Sequence, residues 1–444
     1  MCALFQGLQE PVVPAADEPK IREVRAFVLR PKPPPEGGAN PWHAGPPTAA
    51  PRCPAGAVVV EVEQDDGLVG VGCTVGGEAV CVVVEEHLAK FVEGQSARNI
   101  AHVWDRCWRG QTAQGRRGPG LHALSAVDLA LWDLLGKITG EPCHVLLGGM
   151  TTARVPLVAA TNRPELARRL GFKGAKVALP RGPEAGDAGL RENAEAVHAW
   201  RRSVGPDFPL IVAGGGRFDA AYAAALAKRC EADGVAWFED CVPPDEPAAR
   251  RALSRKLERL GAVHGAGSRE ATRWGFDALA DEGVTVLAPD VCRCGGPSEF
   301  LKIAALARAR GVAVAPSGGG VYAYGLAMAL PDVHVAECAL SESGAPAPFW
   351  GDLLAGEPPP ADGYVALSRA PGWGVALNRD RVDLVRPHDR DTKRALLSAF
   401  KKVTDECKNA PEPATKGRRS ESAPTIRDES VMAADRALAA SLLG

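Results

Sequence analysis

Residues 210–240 read LIVAGGGRFDAAYAAALAKRCEADGVAWFED. A short apolar strand, Leu210–Ala213, runs into a glycine turn, then an Ala/Leu-rich helix over Asp219–Glu231, then a second apolar strand, Val235–Phe238. Neither strand alternates polar with apolar, which is the pattern of parallel strands covered on both faces. The same unit recurs on both sides. Further strands are expected at Val155–Ala160, Gly174–Leu179, Gly261–His264, Val284–Ala288, Val312–Ala315 and Val333–Ala336, with helices such as Ser298–Arg310 between them. About eight strand–helix units in a row favour a closed (β/α) barrel over a doubly wound open sheet, which normally needs fewer.

Upstream, Ile21–Arg30 reads as a strand, and Ala57–Glu63 and Leu68–Val75 as a hairpin turning at Asp66-Gly67. Between them Pro31–Gly56 is a Pro/Gly-rich irregular loop. From Ala79 to about Leu147 the apolar spacing is helical, with Ser125 and Asp128 read as a capping pair. Downstream, Tyr364–Leu367 and Gly374–Leu377 read as a short β excursion, Asp391–Lys408 as an amphipathic helix, Asn409–Ser430 as disordered, and Val431–Leu443 as a small terminal helix. The expected division is an α+β capping domain over 1–150, a (β/α) barrel over 151–345, a return segment packing on the cap over 346–390, and a helix with a disordered tail over 391–444.

Of the 444 residues, 46% are hydrophobic and 24% charged, an ordinary globular balance. A formal charge of −2 gives no basic field for nucleic acid or anionic membrane, and no apolar run is long enough to span a bilayer. Twelve cysteines without a CxxC pair read as reduced thiols of a cytoplasmic protein; Cys292 and Cys294 lack the further ligands of a zinc site.

Barrel chemistry belongs at the carboxyl ends of the strands. The positions there are Lys176, Ala213, Glu239, Ser268, Asp290, Ser317 and Glu337 on or after the second to eighth strands. A hard divalent cation asks for several oxygen ligands, so Glu239 alone is a poor site. Asp240 is expected to point out of the barrel, and Glu270 to be a solvated or helix-starting carboxylate. The triplets Gly214–Gly216 and Gly318–Gly320 could cradle an anion or be flexible turns. His264 reads as a satisfied core histidine, and Arg418-Arg419-Ser420 as a basic kinase-substrate pattern.

Residues 120–149 (GLHALSAVDLALWDLLGKITGEPCHVLLGG), Trp237-Phe238-Glu239-Asp240 with Pro243-Pro244-Asp245, the run Glu270–Phe276, and Pro289-Asp290-Val291 leading to Cys294-Gly295-Gly296 resemble the mandelate-racemase-like branch of the enolase superfamily. Within it, the nearest likeness is to the L-rhamnonate dehydratase family, from about Val58 to Leu377. The resemblance implies an α+β cap on a (β/α)₇β barrel, often oligomeric. It also implies loss of water from an acid sugar through an enediolate stabilised by Mg²⁺. It places the family's metal ligands at Ala213, Glu239 and Ser268, so only Glu239 is acidic, and its acid/base histidine at Ser317, with Asp290 behind it. Lys176 is a candidate base, and His43, Arg52 and Glu337 are candidate substrate contacts. The expectation is a catalytically silent or impaired homo-oligomer for a small acid-sugar or other anionic ligand, with no cofactor unless a Mg²⁺ site has been rewired. An active hydro-lyase and a scaffold acting through its tail are the alternatives.

Overall fold

Strand β4 (Val155–Ala160) starts a parallel sheet that continues through β5 (Ala175–Ala178), β6 (Leu210–Ala213), β7 (Trp237–Glu239), β8 (His264–Ala266), β9 (Val286–Leu287) and β10 (Ala313–Val314), each beside the one before it. On its other side β4 pairs in parallel with β11 (Ala336–Leu340), and a parallel bridge from Val314 to Val333 brings β10 round to the approach to β11. The ring therefore has eight strands. This computed structural model describes residues 18–31, 56–341, 344–380 and 382–387. The loop residues His43 and Arg52, the helices expected at Asp391–Lys408 and Val431–Leu443, the expected disordered stretch Asn409–Ser430 and Ser420 lie outside them.

Seven helices cover the ring: α6 (Pro164–Arg169), α7 (Gly186–Val204), α8 (Ala220–Arg229), α9 (Pro247–Arg259), α10 (Thr272–Asp281), α11 (Pro297–Arg310) and α12 (Val321–Ala329). Among the described residues no α-helix follows β11, which fits the pattern (β/α)₇β. The uniformly apolar strands are buried as expected, with Leu157, Val177, Leu210, Val212 and Phe238 almost fully enclosed; each such side chain stabilises the fold by about 1.5–3 kcal/mol. Two strand positions shift. The fifth begins at His264 rather than ending there, and the eighth covers Ala336–Leu340, which places Glu337 inside it rather than at its end.

The amino-terminal layer is an antiparallel sheet of β1 (Ile21–Pro31), β2 (Ala57–Gln64) and β3 (Val69–Val75), joined at its β1 edge by the strand Val382–Val385 returning from beyond the barrel. Tyr364–Val365 pairs with β4 and Ala376–Leu377 with Leu354–Ala355, so the two arms of the expected β excursion do not pair with each other. Helix α4 (Pro119–Thr139) packs on this sheet, and α3 (Ile100–Gln111) packs against α4. Helix α4 lies unusually close: a Cβ at Gly70 or Gly72 would sit 2.1 Å or 2.2 Å from a carbonyl oxygen of α4.

Ser125 and Asp128 are in the middle of α4, where no local amide is free, so they do not cap it. They face the barrel instead. The Asp128 carboxylate accepts the Ser298 amide and hydroxyl, both at 2.7 Å, at the start of α11, whose own capping position is Gly296 and has no side chain. Ser125 Oγ accepts the Gly295 amide, and Trp104 Nε1 donates to the Gly295 carbonyl. A Cβ on Gly296 would lie 2.6 Å from Asp128, so the glycine pair is what lets α4 dock.

Burial pushes the Asp128 carboxyl up to about 7, against the opposing pull of the Ser298 hydrogen bonds. A carboxyl raised above its unfolded value holds its proton in the fold, so its contribution falls as pH rises from about 4 to about 7. Asp128→Ala is expected to lower stability by about 2 kcal/mol at pH 5, from the lost cap and the orphaned Ser298 amide. In urea denaturation that loss should shrink toward pH 7.5; a loss independent of pH would refute the buried-carboxyl account.

Candidate active site at the barrel mouth

Lys176, Glu239 and Glu337 stand on β5, β7 and β11, and their side chains meet across the inside of the barrel. Lys176 Nζ is 2.7 Å from Glu239 Oε1 and 2.5 Å from Glu337 Oε2, and all three side chains are largely buried. Trp237 Nε1 donates to the other Glu239 oxygen at 3.0 Å. Ala213, level with Glu239 in the sheet register, offers only a methyl group. Burial alone would lower the Lys176 pKa, but the Coulombic pull of Glu239 and Glu337 outweighs it and holds the ammonium well above its ordinary value.

The other acidic residues are spoken for. Asp240 has a φ of 44° and turns its carboxylate to the amides of Gly267 and Ser268, away from Glu239, as the alternation of strand residues implies. Glu270 is not solvated: it is buried, accepts the Ala271 amide, and pairs at 2.9 Å with Arg117, which comes from the α3–α4 connection and also holds Asp245. Burial raises the Glu270 carboxyl, opposed by these bonds. Asp290 is also buried. One of its oxygens accepts the Cys292 amide at 2.9 Å and the other lies 3.1 Å from Arg293 Nε, so it has a cationic partner although no imidazole precedes it. Desolvation pushes Asp290 up to about 6, against the pull of Arg293. Ser317 is half-buried in the loop after β10, its amide bonded to the Pro289 carbonyl.

The second glycine triplet makes room for a carboxyl group of the chain itself rather than for an outside anion. Glu357 is buried against Gly320 and accepts the Phe349 amide at 3.3 Å, with the Trp350 and Val321 amides also turned toward it; desolvation still pushes it up to about 7. In the first triplet, the Gly214 and Gly215 carbonyls are covered by Arg217 and Arg269. The fully buried Cys292 and Cys294 have thiols raised far above their ordinary range by desolvation.

Arg117, Arg293 and Glu357 were not legible as site residues; Arg117 meets Glu270 153 residues away, and Glu357 packs on Gly320, both brought together only by the fold. The one available signal was Arg293, three positions after Asp290 at a strand end. The mouth thus assembles Lys176, Glu239, Glu337, Asp290, Arg293 and Ser317, and it pairs two cations with three carboxylates.

A cap of this kind on a (β/α)₇β barrel, with ionisable groups gathered at the strand ends, defines the class. The chain belongs to the mandelate racemase/muconate lactonizing enzyme family of enolase-like proteins: residues 47–148 match that family's N-terminal domain and 160–381 the Enolase C-terminal domain-like family. Among individual relatives, it is 40% identical over 339 residues to the L-rhamnonate dehydratase of Saccharopolyspora erythraea, spanning 76% of this chain and 86% of that protein. The rhamnonate dehydratase of Gibberella zeae complexed with Mg superposes with a TM-score of 0.75 at 30% identity, covering 83% of this chain and 97% of the other. A second structure of the Gibberella zeae enzyme gives 0.74 at 31% identity, over 84% and 97%.

That magnesium complex corrects the expectation that no cofactor goes with this scaffold. Here Glu239 is the residue that would hold the ion, with Glu337 beside it; when bound, a divalent cation supplies Lewis-acid stabilisation of an enediolate. Lys176 now contacts one oxygen of Glu239 and Trp237 the other. Among the described residues no cluster of three or more His, Cys, Asp or Glu side chains is arranged around a common metal position.

Lys176→Met leaves two buried carboxylates facing each other. It is expected to destabilise the fold by about 3–5 kcal/mol. Adding Glu239→Gln and Glu337→Gln should recover most of the loss. Denaturation curves that show no recovery in the triple variant would refute the triad.

Proposed function

We propose that this rhamnonate-dehydratase-like protein keeps the family scaffold, in a homo-oligomer, for a small acid-sugar or related anionic ligand, and that its dehydration chemistry is silent or strongly impaired. The observation that carries the reading is the clamping of Lys176 between Glu239 and Glu337. Removing a proton from carbon beside a carboxylate needs a base that is free at neutral pH and within reach, and general-base help is typically worth ~10²–10⁴-fold. Lys176 is held protonated by two carboxylates. Ser317 has a hydroxyl and no imidazole. Asp290 has a suitable range, but one oxygen accepts the Cys292 amide and the other lies 3.1 Å from the Arg293 guanidinium.

The charge balance bears on the chemistry: with three carboxylates against two cations, the mouth as it stands gives little net stabilisation to the second negative charge of an enediolate. Asp240 and Glu270, the carboxylates through which a rewired metal site would have to be built, are turned to partners of their own.

Incubating the purified full chain with L-rhamnonate and Mg²⁺, and assaying for a 2-keto-3-deoxy acid, is expected to give no product above the buffer control. Turnover that Glu239→Gln abolishes would establish an active hydro-lyase and refute the proposal.

A further inference from the structure

The cap carries an imidazole to the seam it shares with the barrel mouth. His122 stands on α4 one turn before Ser125, on the helix face that grips the loop after β9 through Gly295. The end of β3 ties the two together. Thr74 donates to the Cys292 carbonyl, and the next residue, Val75, presents its own carbonyl to His122 Nδ1 at 3.0 Å. Arg293, which follows Cys292, is the charged group whose field acts on the ring.

The hydrogen bond to Val75 decides what the ring can do. A carbonyl oxygen only accepts, so the proton of the neutral ring is on Nδ1 and Nε2 is a lone pair. Burial, with Arg293 adding to it, lowers His122 to about 4, so the ring is neutral at pH 7 and a poor base for a carbon acid. Nε2 lies on the ring edge away from Val75 and makes no hydrogen bond among the described residues. Unlike His264 Nε2, it is not enclosed. The Arg293 side chain is 31% exposed; Asp290 meets it at Nε, 3.1 Å away, and among the described residues neither Nη group has a hydrogen-bond partner. A hydrogen-bond acceptor and a cation thus stand side by side, each with an open edge.

We propose that His122 and Arg293 form a hydroxy-acid subsite at the seam between cap and mouth, where a ligand carboxylate meets the Arg293 Nη groups and a ligand hydroxyl donates to His122 Nε2. The inference rests on the acid-sugar reading above and adds which groups of the ligand are read. An imidazole whose Nδ1 proton is committed can only accept at Nε2, so it favours a hydroxyl there and disfavours an unhydroxylated acid. Asp290 opposes the ligand carboxylate and limits its affinity.

Calorimetric titration of the full chain without added divalent cation, separately with L-rhamnonate and with hexanoate, an acid of the same chain length without hydroxyls, tests it. L-rhamnonate is expected to bind the tighter. His122→Asn keeps an amide donor for the Val75 carbonyl but has no atom at Nε2; it should weaken L-rhamnonate about tenfold and leave hexanoate unchanged, whereas Arg293→Gln should weaken both. With the histidine ring nitrogens isotope-labelled, the His122 Nε2 NMR resonance, assigned by its loss in His122→Asn, should move with L-rhamnonate and hold still with hexanoate. L-rhamnonate that binds His122→Asn as tightly as the unaltered chain, or leaves the Nε2 resonance in place, overturns this inference and leaves the acid-sugar reading standing. No binding of L-rhamnonate to the unaltered chain overturns both.

Discussion

A buried ammonium held by two buried carboxylates sets what this barrel can do. Each of the three charges is costly to take out of water, and pairing them offsets part of that cost. Their mutual attraction fixes Lys176, Glu239 and Glu337 in one arrangement spanning the second, fourth and eighth strands. The same attraction that stabilises the cluster removes the lysine from acid/base work. A base in this position must be able to give up its proton near pH 7, and the two carboxylates oppose that loss.

The loops around the cluster are held by the cap. Thr74 on β3 donates to the Cys292 carbonyl, Trp104 and Ser125 grip Gly295, Asp128 caps α11, and Arg117 ties Glu270 and Asp245 to the α3–α4 connection. These bonds converge on the segments that follow the fourth, fifth and sixth strands. The glycines at 295 and 296 make the approach possible, because a side chain there would collide with α4 or α11. Scaffold and site are thus separable in this molecule: the interface that positions the mouth is intact, while the groups at the mouth are paired with one another.

Much of the architecture was readable from the sequence, since strands such as Leu210–Ala213 are apolar on both faces and recur at the spacing of a strand–helix unit. Strand ends were less legible. Ala262-Val263 and Val333 are as apolar as the strands they precede, so the fifth and eighth strands were placed a few residues early. The Ser125/Asp128 spacing matched a local cap, but its partner is 170 residues away, which no local pattern can reveal. Lys176, Glu239 and Glu337 were each recognised as mouth residues with separate roles. That they neutralise one another depends on the stagger of three strands, which no single strand's sequence shows.

Proton abstraction itself can be observed without waiting for elimination. The direct measurement is exchange of the C2 hydrogen of L-rhamnonate for deuterium, followed by proton NMR in D₂O with the full chain and Mg²⁺ present. A Lys176 ammonium locked between Glu239 and Glu337, beside a serine and an engaged Asp290, predicts no exchange above the protein-free rate. Deuterium entering C2 at a rate proportional to protein concentration would show a working base at the mouth and contradict the account.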